Sequence, residues 1–153
     1  MHRSRLLLLP AALLVLVPMP ARALLPDACT TVTGQAVAQV LGGRLLEVRS
    51  VPPSESGTSK CVYSIATQGS AGEQRATIVL WLMPADDFEA MRKGQEKPVA
   101  ELKGLGDAAF QVFHDDTHRF DLVALKRNRA TVEVTADAAD TARKIVELAL
   151  GKL

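Results

Sequence analysis

Aromatic side chains are scarce in this chain of 153 residues, which has one tryptophan, one tyrosine and four phenylalanines. So few rings offer little surface on which bases or sugars could stack, and this weighs against a protein that holds nucleic acid through its bases. Because 48% of the residues are hydrophobic, we expect an aliphatic core. The length suits one domain.

Histidine and cysteine are also rare, with three and two copies. The chain has no G-x-S-x-G, no H-E-x-x-H and no phosphate-binding glycine loop, so no common catalytic motif is present. Asp86 and Asp87 form an acidic pair, but they lie at a predicted helix start, where the helix dipole accounts for them. Two cysteines without nearby histidines do not make a zinc site. We therefore predict no catalytic residue, no metal ligand and no cofactor.

The first 23 residues have the pattern of a secretory signal peptide. A basic start, Met1–Arg5, precedes an apolar run, Leu6–Val17, and Ala21-Arg22-Ala23 provides the small residues of a cleavage site. The apolar run is too short to cross a bilayer of about 30 Å as a helix, so we expect cleavage after Ala23 and no stable membrane span. This predicts a signal peptide over 1–23, a single domain over 24–153, and a periplasmic or secreted protein.

The charge of the predicted mature chain is close to balanced. Cleavage removes three arginines and no acid, which leaves 15 of the 18 basic residues against 17 acidic ones and a formal net charge of about −2. A near-neutral surface has no general attraction for polyanions, so nucleic acid is not an expected partner. An envelope protein, a polymer or a small ligand remains possible.

An oxidising compartment makes the two cysteines a candidate disulfide. A bond between Cys29 and Cys61 would close a loop of about 32 residues, worth roughly 3–4 kcal/mol in the chain-entropy model. The alternative is a lipoprotein in which Cys29 is lipidated and becomes the N-terminus. Pro26-Asp27-Ala28 argues against lipidation, because a lipid-attachment signal has small or aliphatic residues before the cysteine and not a charged one.

Hydrophobic periodicity predicts the order helix, three strands, helix, three strands, helix. This order indicates one α+β domain, with a largely antiparallel sheet of about six strands and three helices packed against it. Thr31 or Thr33 caps the first helix, and residues 95–103 are assigned to a linker. The predicted strands are 44–51, 61–66, 75–83, 108–113, 119–126 and 130–135, and the helices end near Leu41, Lys93 and Leu150.

Two of the predicted strands differ in their faces. Strand 75–83 is apolar on both, which predicts a central strand covered on two sides with Trp81 in the core. In strand 130–135, Thr131, Glu133 and Thr135 alternate with valines, so that face is expected to meet water.

The turn between the last two strands is strongly basic. Lys126, Arg127 and Arg129 are our candidate binding residues, because such a turn could contact anionic lipid, cell-wall polymer or an acidic patch of a partner. The alternative is a charged turn that only keeps the protein in solution.

Two further turns carry chemistry-type residues. His114-Asp115-Asp116-Thr117-His118 is interpreted as a solvated hairpin tip, with a weak metal or pH-sensitive contact as the alternative. Gly104-Leu105-Gly106-Asp107 precedes a strand, not a helix, so it lacks the helix N-terminus of a phosphate loop. We predict a structural turn whose glycines take positive backbone angles or allow close chain approach.

With these motifs placed, the chain resembles small exported bacterial domains of unknown function that occur in envelope lipoproteins and kinase-sensor ectodomains. The resemblance rests on a T-x-x-x-V-x-x-x-L-G helix from Thr33 to Gly42, on Cys61-Val62-Tyr63, and on the Gly-Leu-Gly-Asp-Ala-Ala-Phe turn from Gly104 to Phe110. It implies an α+β fold pinned by a disulfide and an envelope or extracellular setting. It carries over no catalytic residue.

The function that we expect from the sequence is a non-enzymatic, envelope-associated binding module. The alternative is a small secreted enzyme, such as a hydrolase, with an unrecognised site. An apolar groove without catalytic groups would favour binding, whereas a cleft lined by serine, aspartate or histidine would favour the enzyme.

Overall fold

The computed structural model of the protein describes residues 25–51, 53–54, 57–67, 73–127 and 129–153. The predicted signal peptide and its cleavage point lie outside the described residues. None of the helices within these ranges has both the length and the apolar character needed to cross a membrane. The helices are α1 Ala28–Thr31, α2 Gly34–Leu41, α3 Ala85–Lys93 and α4 Ala139–Leu150. The strands are β1 Gly43–Val51, β2 Thr58–Thr67, β3 Glu73–Leu82, β4 Val99–Leu102, β5 Ala108–His114, β6 Arg119–Lys126 and β7 Ala130–Ala136.

One antiparallel sheet contains all of these strands in the order β1-β2-β3-β7-β6-β5-β4. Strands β1 to β3 form one meander and β4 to β7 another, and β3 pairs with β7 where the two meet. The predicted α+β class and antiparallel sheet are confirmed.

The predicted numbers of six strands and three helices are wrong, because the described residues form seven strands and four helices. The missed strand, β4, lies in the segment assigned to a linker; it has four residues and pairs only with β5, from Val99 opposite Val112 to Leu102 opposite Ala109. The missed helix, α1, is a single turn capped by Asp27. Elements this short contain too few residues to show a period.

The main core lies between one face of the sheet and helices α1, α2 and α4. Thr33 caps α2 by accepting a hydrogen bond from Ala36 N at 3.3 Å, and Gly42 ends it with a φ of 65°. Helix α4 buries a stripe of small and branched side chains, as its spacing predicts. Buried members of this core include Val37, Cys61, Tyr63, Ile65, Ile78, Leu80, Leu122, Val132, Val134, Ile145 and Val146.

The opposite face of the sheet is covered only in part. Phe88 of α3 packs on Phe110 of β5, with ring centroids 5.4 Å apart, and a second cluster forms around this pair. A helix of nine residues is only about 14 Å long, whereas seven strands extend over roughly 29 Å. The prediction that β3 is covered on both sides is therefore wrong: Ile78 and Leu80 are buried, but Val79 and Trp81 on the other face are half-buried. We call this side the open face.

The disulfide predicted between Cys29 and Cys61 is confirmed. Their Cα atoms lie 5.1 Å apart, and the bond ties α1 to β2. Ala28 N donates to Ser59 Oγ at 2.9 Å beside it, and the Tyr63 hydroxyl donates to the Val32 carbonyl. Since Cys29 is paired, the lipidated alternative does not fit this structure.

The glycine turn before β5 has the backbone geometry that its sequence predicts. Gly104 and Gly106 have φ angles of 76° and 58°. A Cβ on Gly106 would collide with the Leu125 carbonyl oxygen, and the next amide, Asp107 N, donates to that same oxygen at 2.8 Å. The turn is thus anchored on the end of β6.

Candidate functional site

A pocket of about 290 Å³ opens where the β6–β7 turn, the end of β3 and the C-terminal residues meet the start of the described chain. We call it the basic pocket. Its apolar wall comes from Leu25, Pro26, Leu82 and Leu153. Leu25 is buried and Leu82 is 40% exposed, so this wall offers apolar surface both at depth and at the rim.

The rest of the lining is mostly positively charged. Lys126, Arg127, Arg129 and Lys152 all line the pocket. None of these four side chains forms an ion pair with a carboxylate in the described ranges. Four positively charged side chains around one opening favour a local positive potential, although the whole chain is nearly neutral.

Backbone hydrogen bonds hold the basic turn in place. Arg129 N donates to the Lys126 carbonyl at 3.2 Å, and Met83 N donates to the Arg129 carbonyl at 2.9 Å, which fixes the turn to the end of β3. Arg127 has a φ of 53°, in the left-handed region that costs a residue with a side chain roughly 1–2 kcal/mol and that glycine occupies freely. Glycine would occupy this backbone conformation at a lower energetic cost than arginine.

The three candidate binding residues are therefore brought together, and the structure adds others. Lys152 and Leu25 come from opposite ends of the described chain, and nothing in their local sequence connects them to the turn. Only the folding of the chain ends against β3 and β7 places them beside it. Sequence patterns report contacts along an element and not between chain ends.

The histidine-containing turn is a hairpin tip between β5 and β6, as interpreted from the sequence. His114 Nε2 lies 2.7 Å from Asp121 Oδ2, whereas the His118 ring lies beside Phe113 with centroids 6.4 Å apart. Lys97 Nζ bonds Asp116 at 2.9 Å and lowers the pKa of that carboxyl. In the described part of the chain no group of three or more histidine, cysteine or acidic side chains is placed to hold a metal ion.

An unexpected polar group lies on the open face. Burial, together with the nearby charge of Asp121, raises the pKa of Glu133 to about 7, although Lys60 and His114 oppose the shift. The expectation that this face of β7 meets water is wrong at Thr131, which is 1% exposed. Thr131 pairs with Trp81 on one side and Leu125 on the other, and these larger side chains cover it.

Comparison with known proteins does not assign this chain to a family. No family model matches it, and no curated protein matches it. Among solved structures, a GTP-binding regulator from Thermotoga maritima matches with a TM-score of 0.44 and 11% identity, over 76% of this chain and 84% of that one. A likeness this weak carries no argument, so the function has to be argued from the site.

Proposed function

We propose that the protein is an exported, non-enzymatic binding module and that the basic pocket binds an anionic ligand with an apolar portion. The observation that carries this proposal is that Lys126, Arg127, Arg129 and Lys152 line one pocket together with apolar residues. The turn predicted from sequence as a binding element thus belongs to a concave site.

The positively charged and the apolar lining residues favour a ligand that has both an anionic and an apolar group. Arginine and lysine side chains form charge-assisted hydrogen bonds with carboxylate or phosphate, and arginine does so through two parallel N–H groups. The leucine and proline wall favours an alkyl or similarly apolar group. A volume of about 290 Å³ is at the small end for ligand pockets and suits a small amphiphile or the end of a larger one.

The composition of the pocket favours binding over the enzyme alternative. Among the described residues, its lining contains no serine, threonine, cysteine, histidine, aspartate or glutamate, the side chains that usually act as nucleophile or general base. The periplasmic or extracellular location is part of the proposal, and it is supported by the disulfide and by the signal-peptide pattern.

The test is titration calorimetry with octyl phosphate, octanol and inorganic phosphate. We expect octyl phosphate to bind most tightly, because it alone has both an anionic and an apolar group. Arg127→Gly should weaken octyl phosphate binding by roughly tenfold, the loss of a charge-assisted contact of about 1.5 kcal/mol, while leaving the melting temperature equal or higher because glycine relieves the positive φ.

The matched control is Arg143→Gly on the exposed side of α4, which should leave binding unchanged. Equal affinity for octyl phosphate in wild type and Arg127→Gly would contradict the assignment of the site. Failure of all three probes to bind would contradict the proposed ligand class.

A further inference from the structure

The sheet has one long edge that is left unpaired in the described part of the chain. Strand β1 has nine residues and a hydrogen-bonded neighbour, β2, on one side only. A register shift at Leu46 interrupts this pairing between Leu45 and Glu47, so the regular part of the edge is 47–51. The opposite edge, β4, has only four residues. A long edge presents a row of backbone N–H and C=O groups that can bind another extended strand.

The side chains of β1 are exposed and partly apolar. Leu46, Val48 and Val51 are 47%, 42% and 52% exposed. Glu47 and Arg49 lie between them, with Glu47 Oε1 and the Arg49 guanidinium 3.5 Å apart. Glu47 lies opposite Ser64 of β2 and Arg49 lies opposite Val62, and these two β2 residues point to the same face of the sheet. The side chains of Glu47 and Arg49 therefore share that face.

We propose that β1 pairs antiparallel with β1 of a second copy of this chain, joining the two sheets into one across a two-fold axis at Val48. In this register Glu47 of each copy lies opposite Arg49 of the other, and the pair occurs twice. This interaction surface is distinct from the basic pocket and does not depend on the proposed ligand.

The charges select this register over its neighbours. Antiparallel strands pair only residues that point to the same face, so a symmetric pairing shifted by one step has Glu47 or Arg49, rather than Val48, on the axis. Those shifts place two glutamates or two arginines opposite each other, which is unfavourable. An edge with charges of one sign would repel its copy, whereas β1 is self-complementary.

The test is sedimentation equilibrium of the purified exported protein from micromolar to millimolar concentration. We expect a reversible monomer–dimer equilibrium. Glu47→Arg should raise the dissociation constant at least tenfold, because each cross-strand pair becomes Arg–Arg, and the charge-swapped double variant E47R/R49E should restore it to within about threefold of wild type.

Glu73→Arg is the matched control, because Glu73 and Arg75 form the same exposed pair, at 3.3 Å, on β3, which has neighbours on both sides. It should leave the dissociation constant unchanged, and circular dichroism should show that all variants are folded. A monomer at every concentration would overturn the proposal, and the β1 edge would then be available to a strand of another protein. A dimer that Glu47→Arg does not weaken, or that the double variant does not restore, would overturn it equally.

Discussion

At the scale of the residue, Glu133 is a carboxyl group whose surroundings disfavour its charge. It lies on β7 between Val79 and Val123, and burial raises its pKa to about 7 from an ordinary value of 4.5. In the pH range between these values the folded protein holds a proton that the unfolded chain releases. The free energy of unfolding therefore falls as pH rises from about 4.5 to 7 and changes no further from this group above that range.

Glu133→Gln removes this titration while keeping a neutral side chain of the same size. We expect the variant to be more stable than wild type by about 3 kcal/mol at pH 8 and to match it near pH 4, since each pKa unit corresponds to about 1.4 kcal/mol. Urea unfolding at several pH values between these limits measures the difference. Exposed Glu96 provides the control variant Glu96→Gln, and a Glu133→Gln protein no more stable than wild type at pH 8 would contradict the assignment.

The same scale shows what a single sequence reveals about a site. Lys126, Arg127 and Arg129 could be found because they are neighbours in one turn, so their joint charge is visible in the sequence. Lys152 lies far away along the chain and Glu133 looks like any alternating polar residue of a strand. Their surroundings are set by other elements, and no local pattern carries that information.

At the scale of the element, the glycine turn before β5 offers a comparison between two positive φ angles. Gly106 faces the Leu125 carbonyl oxygen, whereas a Cβ on Gly104 would have no described atom within 4 Å. Gly104→Val should therefore cost about 1–2 kcal/mol from backbone strain alone. Gly106→Val adds a collision with fixed backbone and should cost more than about 3 kcal/mol.

Thermal unfolding of the two variants separates these contributions, and both should keep the octyl phosphate affinity of wild type once corrected for the unfolded fraction. If Gly104→Val and Gly106→Val lost the same stability, the close approach of Gly106 to β6 would make no contribution to the free energy of unfolding. A Gly106 variant with an unchanged melting temperature but no ligand binding would show that the turn belongs to the site.

Elements with a full period were predictable, and short or one-sided ones were not. The helix before β1 and the last helix have apolar residues at helical spacing and end at a glycine, Gly42 and Gly151, so both could be placed. Strand β4 depends for its existence on pairing with β5, and the half-exposure of Val79 and Trp81 depends on how far α3 reaches. These are properties of neighbours, which the residues of an element do not encode by themselves.

At the scale of the whole molecule, export and the disulfide make one joint prediction. The protein recovered from the envelope or the medium should begin at Leu24, because the Ala21-Arg22-Ala23 site precedes it, and it should contain no reactive thiol because Cys29 is bonded to Cys61. Intact mass spectrometry with and without a thiol reagent measures both. An uncleaved chain in the cytoplasm, or a lipid mass on Cys29, would contradict the prediction.

The order of the strands has a consequence for how the chain reaches its fold. Within each meander, successive strands are joined by short connections, so their pairing is local. The seam between β3 and β7 is different, since it joins residues from Leu82 with Ala130 to Thr77 with Thr135, 48 to 58 positions apart. Closing so large a loop loses chain entropy before the seam gains its contacts. We therefore expect the two meanders to form early and the pairing of β3 with β7 to limit the folding rate.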